Sequence, residues 1–225
     1  MEHDSDPHAL FRARGSDGAW LWGRVDFGQA GNIGVPVVLL GPAEASHLRW
    51  PASFVECLAN RVGPVIRFDY RDSGKSSNSE QNYDLAQLVD DVVTVLHTAP
   101  GEFSERFHVI GFSMGATIAT HVALDHPAVV ETLSLVSASA GFDKELDEPA
   151  QWLVQKIAER ALTSPRSTTE KVQWISEQLQ WFSGTRLGYS DDDFVEQAER
   201  EVAHGWKQQE HHGTCLLYTS DAADE

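Results

Sequence analysis

Gly111-Phe112-Ser113-Met114-Gly115 is the stretch of this 225-residue sequence whose residue types and spacing speak most directly of chemistry. A serine between two glycines, G-x-S-x-G, after an apolar run and ahead of a helical pattern, marks a nucleophile elbow. The serine of such an elbow occupies a tight strand-to-helix turn. Gly111 and Gly115 leave room there, because a side chain would strike neighbouring backbone. The turn pushes the Ser113 hydroxyl outward and sets the Met114 N–H at a helix N-terminus, able to donate to a developing oxyanion. The chemistry expected is nucleophilic attack on an acyl carbon. The purely structural reading of the same residues is a serine N-cap in a glycine turn.

A second oxyanion donor is expected from the loop Gly41-Pro42-Ala43-Glu44-Ala45-Ser46, with the Ala43 N–H as the candidate. That loop lacks the usual His-Gly, Pro42 has no N–H to offer, and Glu44 brings negative charge close to where an oxyanion would form. Gly74-Lys75-Ser76 hints at a phosphate loop, but the glycine required five positions earlier is Asp69. The segment reads instead as a structural turn in which Asp69 and Arg71 pair locally.

The elements that would carry these residues alternate. Strand patterns at 19–28, 35–40, 65–68, 107–110 and 132–136 are separated by helical patterns at 52–61, 84–98 and 113–125. Nearly continuous apolar runs such as Val35–Leu40 suit strands buried on both faces of a parallel sheet. Leu85, Leu88, Val89, Val92 and Leu96 form one helical stripe, with Asp84 as N-cap. The pattern predicts an α/β fold, a mostly parallel doubly wound sheet with right-handed crossovers and ligands at the carboxyl ends of its strands. After Ala140 only helices are expected, at 144–162, 168–183 and 191–207, forming a lid. Its aromatic residues, among them Trp152, Trp174, Trp181 and Trp206, read mainly as the packing of a small cap and secondarily as a roof over a bulky acyl group. Residues 1–18 read as a flexible N-terminus, 19–142 as the core and 143–214 as the lid.

With 17 Lys+Arg against 34 Asp+Glu, the net charge is −17. That argues against nucleic acid and against an anionic membrane surface as partners. Hydrophobic residues at 41% suffice for a core. The acidic start and the lack of a long apolar run predict a cytoplasmic protein. Cys57 and Cys215 cannot by themselves make a disulfide framework or a zinc site. No metal or organic cofactor is implied.

The elbow, together with Val25–Gly28, Trp50-Pro51, Val65–Ser76 and Ala123–His126, resembles the α/β-hydrolase superfamily and, within it, the aclacinomycin methylesterase-like serine hydrolases. The resemblance covers nearly all of 20–210. It implies hydrolysis of a small-molecule carboxylic ester, a methyl ester foremost, through an acyl-enzyme, with Ser113 as nucleophile and Met114 and Ala43 as oxyanion donors. Another hydrolase activity on the same fold (a peptidase or a carbon–carbon bond hydrolase) or a non-catalytic hydrolase-like binding protein is the alternative. In this fold the catalytic acid and histidine follow the serine in the chain, after the lid. His47, His121, His126, His204, His211 and His212 read as packed or solvated, and Asp143 as a lid-entry residue. Residues 215–225 resemble a translated sequencing adapter. The reading therefore expects a chain truncated before the last strands, with the acid and the histidine lying beyond Thr214, an exposed sheet edge, and little or no activity.

Overall fold

The computed structural model describes residues 8–29, 34–79, 82–138, 150–184 and 188–208. Six strands, β1 (His8–Arg14), β2 (Trp20–Asp26), β3 (Val37–Leu40), β4 (Val65–Phe68), β5 (Phe107–Phe112) and β6 (Val130–Val136), form one sheet in the order β1-β2-β4-β3-β5-β6. The pairings β3/β4, β3/β5 and β5/β6 are parallel, and β1/β2 and β2/β4 are antiparallel. The helices are α1 (Ala52–Arg61), α2 (Leu85–Thr98), α3 (Met114–Asp125), α4 (Gln151–Ala161), α5 (Thr168–Ser183) and α6 (Asp191–His204). Alternating strands and helices have thus folded as an α/β sheet, parallel from β4 through β3 and β5 to β6.

β3 is apolar throughout because both its faces are covered. Val38 and Leu40 join Ile66, Leu88, Val92, Val109 and Ile118 in one core, while Val37 and Leu39 join Val55, Ala59 and Val65 in another. The apolar stripe of α2 is buried, and the Asp84 carboxylate caps it by accepting the Gln87 N–H at 3.0 Å. Helices α5 and α6 each begin with a reciprocal capping box, Ser167 with Glu170 and Ser190 with Asp193. Their shared core is small: Ile175, Ala198 and Trp206.

Four expectations need correction. Residues 8–14 are not a flexible end but a strand, held along its length by β2; the Phe11 ring fills the space over Gly23, which has no side chain of its own. Helix α4 starts at Gln151, because Ala150 before it is not helical at φ −53° and ψ 125°; residues 144–149 of the expected helix lie outside those described. Helix α6 stops at His204, because Gly205 turns left-handed at φ 109° and caps it. Asp69 and Arg71 do not pair with each other. Arg71 reaches the Asp91 carboxylate on α2 through two bonds of 2.8 Å and Asp17 through one of 2.7 Å. Burial works against the Arg71 charge, but these carboxylates outweigh it and hold the guanidinium protonated. Asp143, His211, His212, Cys215 and the rest of 209–225 lie outside the described residues. Among the described residues no helix is long and apolar enough to cross a membrane.

Candidate active site

Ser113 joins β5 to α3 with φ 55° and ψ −119°, a region that non-glycine residues seldom occupy. The turn is fixed from both sides. The Ser113 N–H donates to the Val136 carbonyl at 3.0 Å, and its own carbonyl accepts the Ala116 N–H at 2.8 Å. A Cβ on Gly111 would lie 2.3 Å from the Gly115 carbonyl oxygen, and one on Gly115 2.2 Å from that of Leu40. Both glycines are therefore demanded by close backbone approach. Ser113 and Phe112 are half-buried, while Met114 is buried. The Met114 N–H falls in the first turn of α3, where helix geometry provides no intrahelical acceptor.

The Gly115 contact also places the end of β3 beside the elbow, so the Gly41–Ala43 loop starts next to Ser113. Tyr70 Oη donates to the Gly41 carbonyl at 3.3 Å, and Trp206 Nε1 donates to the Glu44 carbonyl at 2.9 Å. Ala43 is half-buried against the main core. Glu44 takes φ 58°. Burial raises its carboxyl above the ordinary value, and the charges of Arg160 and Arg49 only partly offset this. Arg160 comes from α4, lies 3.9 Å over the Trp174 ring, and is pushed down to about 10 by burial.

None of the described histidines is hydrogen-bonded to the Ser113 hydroxyl. His121 faces Asp125 at 3.9 Å on the far end of α3, and His126 terminates that helix. His47 and His204 belong to a buried cluster at the end of β4. Asp69 Oδ1 accepts both the N–H of His47 and its Nδ1–H, each at 2.9 Å. Oδ2 accepts the Lys75 N–H at 2.9 Å and faces His204 Nε2 at 2.7 Å. Burial alone would raise the Asp69 carboxyl, but the bonds from His204 and His47 outweigh it and hold the group well below the carboxylate range. Burial moves the His47 imidazole below its ordinary value, against the pull of Asp69. Gly74, at φ 47°, is required here because a Cβ would strike the Asp69 carboxylate. Gly-Lys-Ser is thus the turn that cradles this carboxylate. No local spacing marks this cluster in the sequence, since its members lie 22 and 135 residues apart.

Residues 35–212 match the family described as the alpha/beta hydrolase fold. Rhodomycin D methylesterase DnrP of Streptomyces peucetius is 35% identical over 118 residues, a match covering 50% of this chain and 39% of that protein. The chain thus spans well under half the length of this curated relative. A crystal structure of a hydrolase from Pseudomonas aeruginosa superposes with a TM-score of 0.62 at 22% identity, covering 94% of this chain and 72% of that one. The epoxide hydrolase CorEH gives a TM-score of 0.61 at 20% identity over 95% and 73% of the two chains.

Proposed function

The chain belongs to the α/β hydrolase fold family, and on that premise we propose that it is a serine hydrolase of carboxylic esters, methyl esters foremost. Ser113 Oγ attacks the ester carbonyl, the N–H groups of Met114 and Ala43 receive the oxyanion, and the alcohol leaves to give an acyl-enzyme that water then hydrolyses. The observation that carries this reading is the half-buried Ser113 held at φ 55° at the start of α3. The similarity to a methylesterase over half the chain supports the choice of ester. Attack requires a base to accept the Ser113 proton, and no described histidine touches that hydroxyl.

An activated aryl ester and a fluorophosphonate probe test the reading, with imidazole added as an external base. The expected result is a mass increment on the peptide containing Ser113, formed faster as imidazole rises and absent in Ser113→Ala. A panel of methyl esters then defines the acyl group. That no described histidine touches the Ser113 hydroxyl favours a second reading, a hydrolase-like binding protein without catalysis. Equal mass increments in the parent and in Ser113→Ala, or none in either, would decide for that reading.

A further inference from the structure

Two imidazoles and a carboxylate converge at the carboxyl end of β4, separate from the elbow. We propose that His47, Asp69 and His204 bind a divalent transition-metal ion, Zn2+ foremost, which ties α6 to the sheet. The site does not depend on the hydrolase reading.

The three residues come from different parts of the fold: the loop after β3, the end of β4 and the last turn of α6. All three are buried, and their donor atoms lie within 4.8 Å of one another. Two neutral imidazoles with one carboxylate are a borderline nitrogen and oxygen donor set, suited to zinc and its first-row neighbours rather than to Mg2+ or Ca2+. Each Asp69 oxygen accepts one backbone N–H, from His47 or Lys75, which fixes the carboxylate plane. Each then keeps a lone pair, and an imidazole nitrogen stands opposite it, at 2.9 Å for His47 Nδ1 and 2.7 Å for His204 Nε2. A proton bridges each of these two gaps; a single ion, held by the two imidazole nitrogens and one Asp69 oxygen, would take the place of both protons. Zinc bonds of about 2.0–2.1 Å in a tetrahedral arrangement set neighbouring donors roughly 3.3 Å apart. The distances from the imidazole nitrogens to the Asp69 oxygens therefore lengthen by about half an ångström on binding.

The surroundings orient the donors as an outer shell does. The Trp22 ring lies 5.0 Å from each imidazole, and the two imidazoles meet edge-on at 4.6 Å. The nearby cations have partners of their own, although Arg67 Nη1 also donates to the backbone carbonyl of His47 at 3.1 Å. Arg67 is paired with Asp26 at 2.8 Å, Lys75 lies over the Trp22 ring, and Lys207 donates to the Ser76 carbonyl and to Asn78. Three protein donors leave a fourth coordination position for a water molecule.

The test is calorimetric and spectroscopic titration of the purified full chain, stripped with EDTA, with Zn2+ and with Co2+. The expected result is one saturable equivalent, a Co2+ ligand-field band, and a Tm that rises until one equivalent is bound. His47→Ala and His204→Ala are each expected to weaken binding by more than about 10-fold, the least that loss of a mere supporting partner of a ligand costs. His121→Ala, on the exposed face of α3, and Ser113→Ala are expected to bind as the parent does. Absence of saturable binding to the unaltered chain overturns the proposal without recourse to any variant. Undiminished binding in a folded His47→Ala/His204→Ala double variant also overturns it, by assigning the ion to other histidines.

Discussion

Glu44 shows how one residue can tax both stability and chemistry. It stands beside the candidate donor Ala43, in a left-handed conformation, with its carboxyl half-buried. Burial raises its pKa in the fold above the unfolded value. A group shifted that way favours the fold below the ordinary carboxylate range, and stability falls as pH rises through the folded pKa. Glu44→Gln is therefore expected to raise Tm at pH 7–8 and to leave it unchanged near pH 4, measured by thermal melts across that range. It also removes a negative charge beside the developing oxyanion, so acylation of Ser113 by an aryl ester should accelerate. An equal Tm change at both pH values would refute the electrostatic account. The sequence already showed Glu44 beside the oxyanion loop. It did not show Arg160, whose opposing charge arrives from α4 through tertiary packing.

Among the elements, α6 ties the cap to the loop that follows β3. Glu201 is fully buried and receives Arg49 Nε at 2.6 Å and Nη2 at 3.2 Å; Gln197 Nε2 donates to the Leu48 carbonyl at 2.7 Å. Glu201→Ala leaves the largely buried Arg49 charge without this partner, a loss of about 3 kcal/mol, the low end for a broken buried pair. Hydrogen exchange should report that loss in 191–204 while α3 stays protected. Glu201→Leu with Arg49→Met should restore most of it, since an apolar pair of similar volume avoids the desolvation cost. Protection of α6 unchanged in Glu201→Ala would contradict this role. Most elements were legible because period and punctuation agree: the α2 stripe, the Asp84 cap and the glycines around Ser113. β1 was not. Its cohesion comes from the ladder with β2 and from Phe11 filling the place of a side chain at Gly23, and neither leaves an alternating apolar signature.

At the scale of the whole molecule the sheet is unevenly covered. β1 forms one edge and β6 the other, and on β6 Leu135 and Val136 are 43% and 47% exposed. An apolar edge strand is a template for pairing with another chain. Leu135→Lys should therefore lower concentration-dependent light scattering without changing the far-UV circular dichroism; unaltered scattering would locate self-association elsewhere. The helical region divides similarly: Trp206 is buried in the cap core, whereas Trp152 is 54% exposed on α4. The tryptophans therefore serve different ends, which composition could not separate. Asp69 has a consequence for the order of folding. Its carboxylate draws together segments whose closest chain separation is 6 residues, to Lys75, and whose furthest is 135, to His204. Loop-closure entropy grows with that separation. The turn around Lys75 can close early, the contact with His47 after β3 and β4 have paired, and the contact with His204 only after α6 has emerged from the ribosome. During synthesis a charged carboxylate thus waits at the end of β4 for its last partner, and cap docking is the late step of assembly.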